Sequence, residues 1–247
     1  MPELRALIVA DGDAPDRDRM TRAWPGWADG IQLVVAADGG ALIAEALGVA
    51  PELVVGDGDS LGASEIERFR RSGVEVRLAP ADKDESDAEL AIDACLARGA
   101  TSITIIGAFG GRLDHALTNI WLLALPRLAD RTVELLDEST RVSLIRAGSG
   151  DDGAATARGA GADPDEGGNP PVRRALPGRV GDIVSLLPLG GPVFGVSTEG
   201  LLYPLSDESL AVGPSRGLSN VRLATTAAVT IRRGMLLVVE SPATLTP

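Results

Sequence analysis

The sequence predicts an α/β chain: a Rossmann-like parallel sheet covered by helices over residues 1–130, then an antiparallel β-sandwich over residues 131–247. Two observations predict the first part. Apolar runs of strand length recur, each stopping at a polar, mostly glycine-containing loop, and most of those loops lead into a helix signal. One observation predicts the second part: beyond Asp130 short apolar runs follow one another with turns and no helices between them.

Arg5–Ala10 is the first strand and ends in Asp11-Gly12-Asp13. A polar connection containing Trp24 and Trp27 leads to the strand Ile31–Ala36 and the loop Ala37-Asp38-Gly39-Gly40, from which a helix opens at Ala41. That helix stops at Gly48, with Pro51 beyond it, the usual C-terminal punctuation. Leu53-Val-Val55 then meets Gly56-Asp-Gly-Asp-Ser60. Ser64–Glu67 fits a capping box and starts a helix ending near Gly73, and Val74–Leu78 is the next strand. Its loop, Asp82–Asp87, overlaps a second capping box, Ser86–Glu89, which sets Asp87 in the first turn of a helix reaching Gly99. Ser102–Ile106 is the fifth strand, followed by Gly107–His115 and a helix to about Leu125.

Past Asp130, strands are expected at 133–136, 142–145, 182–187, 193–198, 201–205, 228–232 and 235–240, with Arg233-Gly234 as a tight hairpin. Gly148–Pro171 is rich in Gly, Ala, Asp and Pro and has almost nothing to bury, so it reads as a flexible insert. There is no internal repeat.

With 247 residues, 45% apolar and 23% charged, the composition is that of a globular protein with proper cores. The formal charge, 23 − 35 = −12, argues against nucleic acid or an anionic membrane as partner. It leaves phosphate substrates open, because a bound cation inverts the local sign. Cys95 is the single cysteine and reads as a small buried hydrophobe. No apolar run has the length of a membrane span and no signal sequence is present, so the expected location is the cytoplasm.

In a parallel sheet with helical crossovers all strand carboxyl ends share one edge. Asp38, Asp57, Asp59, Asp82, Asp84, Asp87 and Asp114 all fall at or just after such ends. So many carboxylates in one cleft repel unless a cation joins them, and Mg²⁺ with phosphates is the economical answer. Asp57 and Asp59 can hold one ion, or one can bind metal while the other touches substrate. Alone, each Asp suits a cap or turn equally well. Asp84 and Asp87 extend the candidate metal ligands, and Lys83, between Asp82 and Asp84, serves as an exposed counter-charge or a phosphate contact. Gly110-Gly111-Arg112 complements the acids: glycines for close backbone approach, free N–H groups at a helix start, and a guanidinium that bridges phosphate oxygens. His115 and Asn119, at i,i+4, orient substrate or satisfy one another. No Gly-x-x-x-x-Gly-Lys-Ser/Thr loop occurs, and no Gly-x-Gly-x-x-Gly follows the first strand.

Together these blocks resemble thiamine pyrophosphokinase. Ala37–Gly40, Gly56–Ser60, Asp82–Asp87 and Gly110–His115 with Asn119 match in the first half; Gly200–Leu205 and Gly217–Asn220 match in the second, in the same order. The resemblance implies an α/β catalytic domain, a β-sandwich that binds thiamine, a homodimer, and pyrophosphoryl transfer from ATP to thiamine with Mg²⁺. By position it implies that Asp57, Asp59 and Asp87 bind metal or steer the thiamine hydroxyl. It further implies that Arg112 and Asp114 handle phosphates and their metal. Asp38 and Gly39, with Lys83, Gly110, Gly111, His115 and Asn119, would form the nucleotide side of the cleft. Ser219 and Asn220 would contact thiamine. Gly58 departs from the bulky apolar residue usual between the two aspartates, and only Phe194 and Tyr203 supply aromatic rings in the second half. A Mg²⁺-dependent phosphohydrolase and a non-catalytic thiamine or nucleotide sensor are the competing readings.

Overall fold

The computed structural model describes residues 3–148 and 170–243, so nearly all of the insert expected at 148–171 lies outside the described residues. Between Thr140 and Arg141 the chain divides into two compact units.

The first unit contains strands β1 (Arg5–Val9), β2 (Leu33–Ala37), β3 (Leu53–Gly56), β4 (Glu75–Leu78), β5 (Ser102–Ile106) and β6 (Thr132–Leu136). They line up as β4-β3-β2-β1-β5-β6, every neighbouring pair parallel. Because crossovers bury both faces, β1, β2, β3 and β5 are dominated by Val, Ile, Leu and Ala and have no exposed position, Thr104 being a buried polar exception that donates to Glu134. The order turns back between β1 and β5, and ligands settle outside the strand ends at such a reversal. β6 is parallel to β5, so the parallel sheet runs one strand further than the change of pattern at Asp130 suggests.

Five helices connect the strands: α1 (Arg17–Ala23), α2 (Gly40–Ala46), α3 (Ala63–Arg71), α4 (Asp87–Ala97) and α5 (Leu113–Leu122). The connection read as merely polar contains α1. Asp16 caps it by accepting from the Arg19 N–H, and Met20 and Ala23 point into a core with Trp24, Trp27, Leu7, Val9 and Leu136. Seven residues span two turns, too few for an apolar period to register. Ser86 caps α4 as expected, accepting from the Glu89 N–H at 3.2 Å. The Ser64 capping box does not form: Gly62 is the N-cap of α3, and the Ser64 hydroxyl donates to Glu65. α5 ends at Leu122, short of Leu125. Among the described residues, no helix is long and apolar enough to cross a membrane.

The second unit has strands β7 (Arg141–Ala147), β8 (Val172–Pro177), β9 (Ile183–Glu199), β10 (Glu208–Leu210), β11 (Asn220–Val221), β12 (Thr226–Ile231) and β13 (Arg233–Ser241). All its pairings are antiparallel. The two strands expected at 182–187 and 193–198 are one, β9, continuing through Gly190-Gly191-Pro192. Its first part pairs with β13 and its last residues with β12, so β9 serves two sheets. Leu176, Val184, Leu186, Val196, Val229, Ile231, Leu236 and Val238 belong to one core between them. Arg233-Gly234 is not a hairpin. β12 and β13 pair with different stretches of β9, and the chain changes sheet there, with Gly234 at φ 108°. Leu201–Leu205 is not a strand either; within it only Leu201 makes an isolated bridge, to Arg222. Arg222 is fully buried, donating to the Leu176 carbonyl and to Glu240 (2.6 Å), whose other oxygen accepts from Arg141 at 2.9 Å.

Candidate active site

The loops after β2 and β3 bring three carboxylates together. Asp38 leaves β2 at φ 45°, a left-handed conformation that Asp tolerates better than most residues, and its N–H donates to the Val55 carbonyl. Gly56 ends β3 at φ 149°, and a Cβ there would stand 2.9 Å from the Asp38 Cβ and 3.2 Å from the Asp87 Cγ. This glycine lets the β2 loop and the start of α4 close over the end of β3. Gly58, also left-handed at φ 80°, turns the chain so that the Asp57 carboxylate accepts from the Asp59 N–H at 3.1 Å. Carboxylate oxygens of Asp38, Asp57 and Asp59 then lie within 4.8 Å of one another.

Their environments differ. Asp38 is 2% exposed; its Oδ2 accepts from the Ser60 N–H at 3.0 Å, and its buried Oδ1 has no hydrogen-bond partner. Burial is the main cause that pushes its carboxyl up to about 6, with Asp59 and Asp87 adding to it against the opposing Ser60 bonds. Asp57 is held below the usual carboxylate range, first by the Asp59 N–H and then by Lys83. Lys83 reaches in from the β4–α4 loop, its Nζ 3.0 Å from Asp87 and 3.4 Å from Asp57. Burial works against its charge, but the two carboxylates outweigh it and hold the ammonium above its ordinary value. Lys83 is therefore not an exposed counter-charge.

An all-oxygen donor set with one unpartnered buried oxygen suits a hard divalent cation. The residues that converge are Asp38, Asp57 and Asp59. The expected metal set was Asp57, Asp59, Asp84 and Asp87; of these, Asp57 and Asp59 join Asp38 in the group whose oxygens lie within 4.8 Å of one another, and Asp84 and Asp87 are not in it. Asp38 was expected only on the nucleotide side because its burial cannot be read from the sequence.

The edge continues across β1 to β5. The Gly12 N–H donates to the Gly107 carbonyl and the Asp13 N–H to the Phe109 carbonyl, stitching the two loops together. A Cβ on Gly39 would fall 2.3 Å from the Asp11 carboxylate, and one on Gly110 would fall 2.1 Å from that of Asp13. The room beside these glycines is thus filled by carboxylates and not left open for phosphate. Gly111, by contrast, has nothing within 4 Å of its Cβ position. Arg112, the N-cap residue of α5, makes a two-pronged exposed pair with Asp114 at 3.1 and 2.5 Å, which holds the Asp114 carboxyl down at about 2. His115 is exposed, and Asn119 donates to the Ala108 carbonyl at 2.8 Å, so Asn119 fastens the β5–α5 loop instead of satisfying His115. Asp11 and Asp13 had no expected role, although Asp-Gly-Asp after the first strand was the available signal.

In the second unit, Ser219 has φ 55°, and its N–H donates to the Ser185 hydroxyl at 3.0 Å. The Asn220 side chain is buried and latched to the backbone of Tyr203 in both directions, at 2.9 and 2.6 Å. The Asn220 amide thereby holds the segment that bears the exposed Tyr203 ring.

Comparison with known proteins gives concordant results for both units. Residues 27–135 match the family model described as "Thiamin pyrophosphokinase, catalytic domain", and residues 174–236 match "Thiamin pyrophosphokinase, vitamin B1 binding domain". Thiamine pyrophosphokinase of Bacillus subtilis is 24% identical over 216 residues, covering 87% of this chain and 90% of the relative. Its crystal structure aligns with a TM-score of 0.74 at 23% identity over 96% of this chain and 99% of the other. A thiamin pyrophosphokinase family protein of Enterococcus faecalis gives 0.73 at 26% identity over 96% and 98%. Thiamin pyrophosphokinase of Candida albicans gives 0.71 at 15% identity over 97% and 89%.

Proposed function

The chain belongs to the thiamine pyrophosphokinase family, and we propose that the acidic edge of its parallel sheet is the site where ATP and thiamine react to give thiamine diphosphate and AMP. The observation that carries this reading is the meeting of Asp38, Asp57 and Asp59 beside an unpartnered buried oxygen, on the edge that also bears Arg112.

Asp57 and Asp59, with Asp38, would hold Mg²⁺, which when bound neutralises phosphate charge and fixes phosphate orientation. Arg112 is exposed and already presents two N–H groups side by side to Asp114, the geometry a phosphate accepts. Gly111 and the N-terminal N–H groups of α5 offer backbone donors beside it. A carboxylate among Asp57, Asp59 and Asp87 accepts the proton of the attacking thiamine hydroxyl, a role typically worth about 10²–10⁴-fold. Most of the remaining acceleration comes from placing the hydroxyl in line with the β-phosphorus. Ser219 and the Tyr203 segment held by Asn220 would contact thiamine. A homodimer and a cytoplasmic location complete the proposal. The latter fits the lone Cys95, whose thiol burial pushes up to about 12.

Incubation of the protein with ATP, Mg²⁺ and thiamine tests the reading. AMP should form only when thiamine is present; phosphate released without thiamine would establish hydrolysis, and binding without turnover a sensor.

A further inference from the structure

We propose that Lys83 is a tethered stand-in cation: it occupies the acidic site against free divalent metal and passes to the phosphates when metal arrives with a nucleotide. The inference rests on the reading of the carboxylate cluster as a metal site.

The β4–α4 loop carries five charged residues between 82 and 87. Asp82, Asp84 and Glu85 face solvent, whereas the Lys83 side chain is only 11% exposed and turns inward. Its ammonium lies between Asp57 and Asp87, at 3.4 and 3.0 Å. Asp57 is thus claimed twice, by Lys83 through Oδ2 and by the group it forms with Asp38 and Asp59. The ammonium meets two carboxylates, Asp57 and Asp87, while Asp38 and Asp59 crowd Asp57 from the other side, and the unpartnered Asp38 Oδ1 marks how incomplete the compensation is.

An ammonium on a short tether competes for its carboxylate at high effective concentration, and it repels any second cation brought to the same ligand. Free metal must therefore displace Lys83 and leave it near a divalent charge with no anion in return. Metal bound to a nucleoside triphosphate brings that anion, so the displaced ammonium finds phosphate oxygens. Lys83 would then couple the two ligands: metal favours nucleotide and nucleotide favours metal, by equal factors. A purely structural counter-ion gives the opposite sign for metal alone, because its loss would loosen the carboxylates.

The test uses the full chain and Mn²⁺ as probe, with free ion followed by electron paramagnetic resonance, first alone and then with a non-hydrolysable ATP analogue. Lys83→Met should bind Mn²⁺ alone about tenfold more tightly than wild type, the scale expected from removing a unit charge next to the ion. It should bind the Mn²⁺–nucleotide complex more weakly. Lys83→Arg should stay close to wild type in both. Unchanged or weaker Mn²⁺ binding by Lys83→Met, or unchanged nucleotide binding, overturns the proposal; Lys83→Gln provides the same measurement if the Met variant does not fold. Asp57→Asn separates the two levels. If it abolishes Mn²⁺ binding while Lys83→Met changes nothing, only the role of Lys83 falls. If wild type and Asp57→Asn bind Mn²⁺ equally poorly even with the nucleotide analogue present, the metal site falls with it.

Discussion

Replacing Asp38 with asparagine should make the metal-free protein more stable at neutral pH while removing its activity. Asn keeps an oxygen for the Ser60 N–H, tolerates the left-handed backbone at φ 45°, and puts N–H donors where a charge-free neighbour of Asp57 and Asp59 is wanted. A carboxyl moved from 3.8 to about 6 disfavours the folded, ionised form by about 3 kcal/mol. Neighbouring carboxylates titrate together with it, so about 2 kcal/mol is a fair share for Asp38 itself. Because the folded pKa lies above the unfolded one, the folded state holds the proton more tightly. Stability is fully present below about 3.8, falls as pH rises towards about 6, and the loss is complete above it. The Asn variant has no such term. Its advantage should therefore be absent near pH 4, grow through pH 5–6 and level off by pH 7.5. At about 2–4 °C per kcal/mol the plateau is about 4–8 °C. Thermal denaturation with chelator, followed by circular dichroism from pH 4 to 8, reads it directly. A variant less stable than wild type at pH 7.5, or a gain independent of pH, would refute the argument that Asp38 is held charged against its surroundings.

Asp59 is exposed and Asp38 and Asp57 crowd it, so Asp59→Asn should abolish AMP formation while its thermal midpoint stays the same or rises; a folded variant with full activity removes Asp59 from the mechanism. In the second unit, Glu240→Gln strips the shared carboxylate from Arg222 and Arg141 and leaves a buried guanidinium uncompensated, a loss of about 3–5 kcal/mol. Denaturant unfolding followed by tryptophan-independent far-ultraviolet signal should show that loss, and a change under about 1 kcal/mol would mean water or rearrangement satisfies the arginines.

The strands of the first unit could be read from the chain because both faces of a parallel sheet are buried, which leaves mostly apolar runs. The polar loops that interrupt them sit on the sheet edge by topology alone, so the placing of Asp38, Asp57 and Arg112 was also legible. What the chain does not spell out is depth. Asp38, Asp57 and Asp59 have the same chemistry on paper, yet only Asp38 is buried, because the Gly56 backbone admits its Cβ at close range. Spacing misled in a similar way at His115 and Asn119: a shared helix face is a necessary condition for a contact and not a sufficient one, and the Asn119 amide donates to the Ala108 carbonyl. Two strands read from two apolar runs became β9 because a glycine pair can bend a strand as well as end one.

The missing piece in the sequence reading, the β1 loop, also changes how the edge works. Neighbouring strands are about 4.8 Å apart, so three steps, about 14 Å, separate the carboxylates after β3 from the Arg112 loop after β5. β1 lies between them, and its loop touches both sides: Asp11 abuts Gly39 and Asp13 abuts Gly110. An alanine at either glycine would drive a methyl group into a carboxylate, so these glycines seat the β1 loop before they serve any ligand. On the proposed function the β2–β3 carboxylates would collect a cation and the Arg112 loop after β5 an anion, with an acidic spacer hydrogen-bonded to the latter. A polyphosphate carrying a metal would span such a pair of poles with its charges in register, whereas a small lone anion would be repelled by the spacer. The same polarity explains how a chain with a net charge of −12 can handle a phosphate donor.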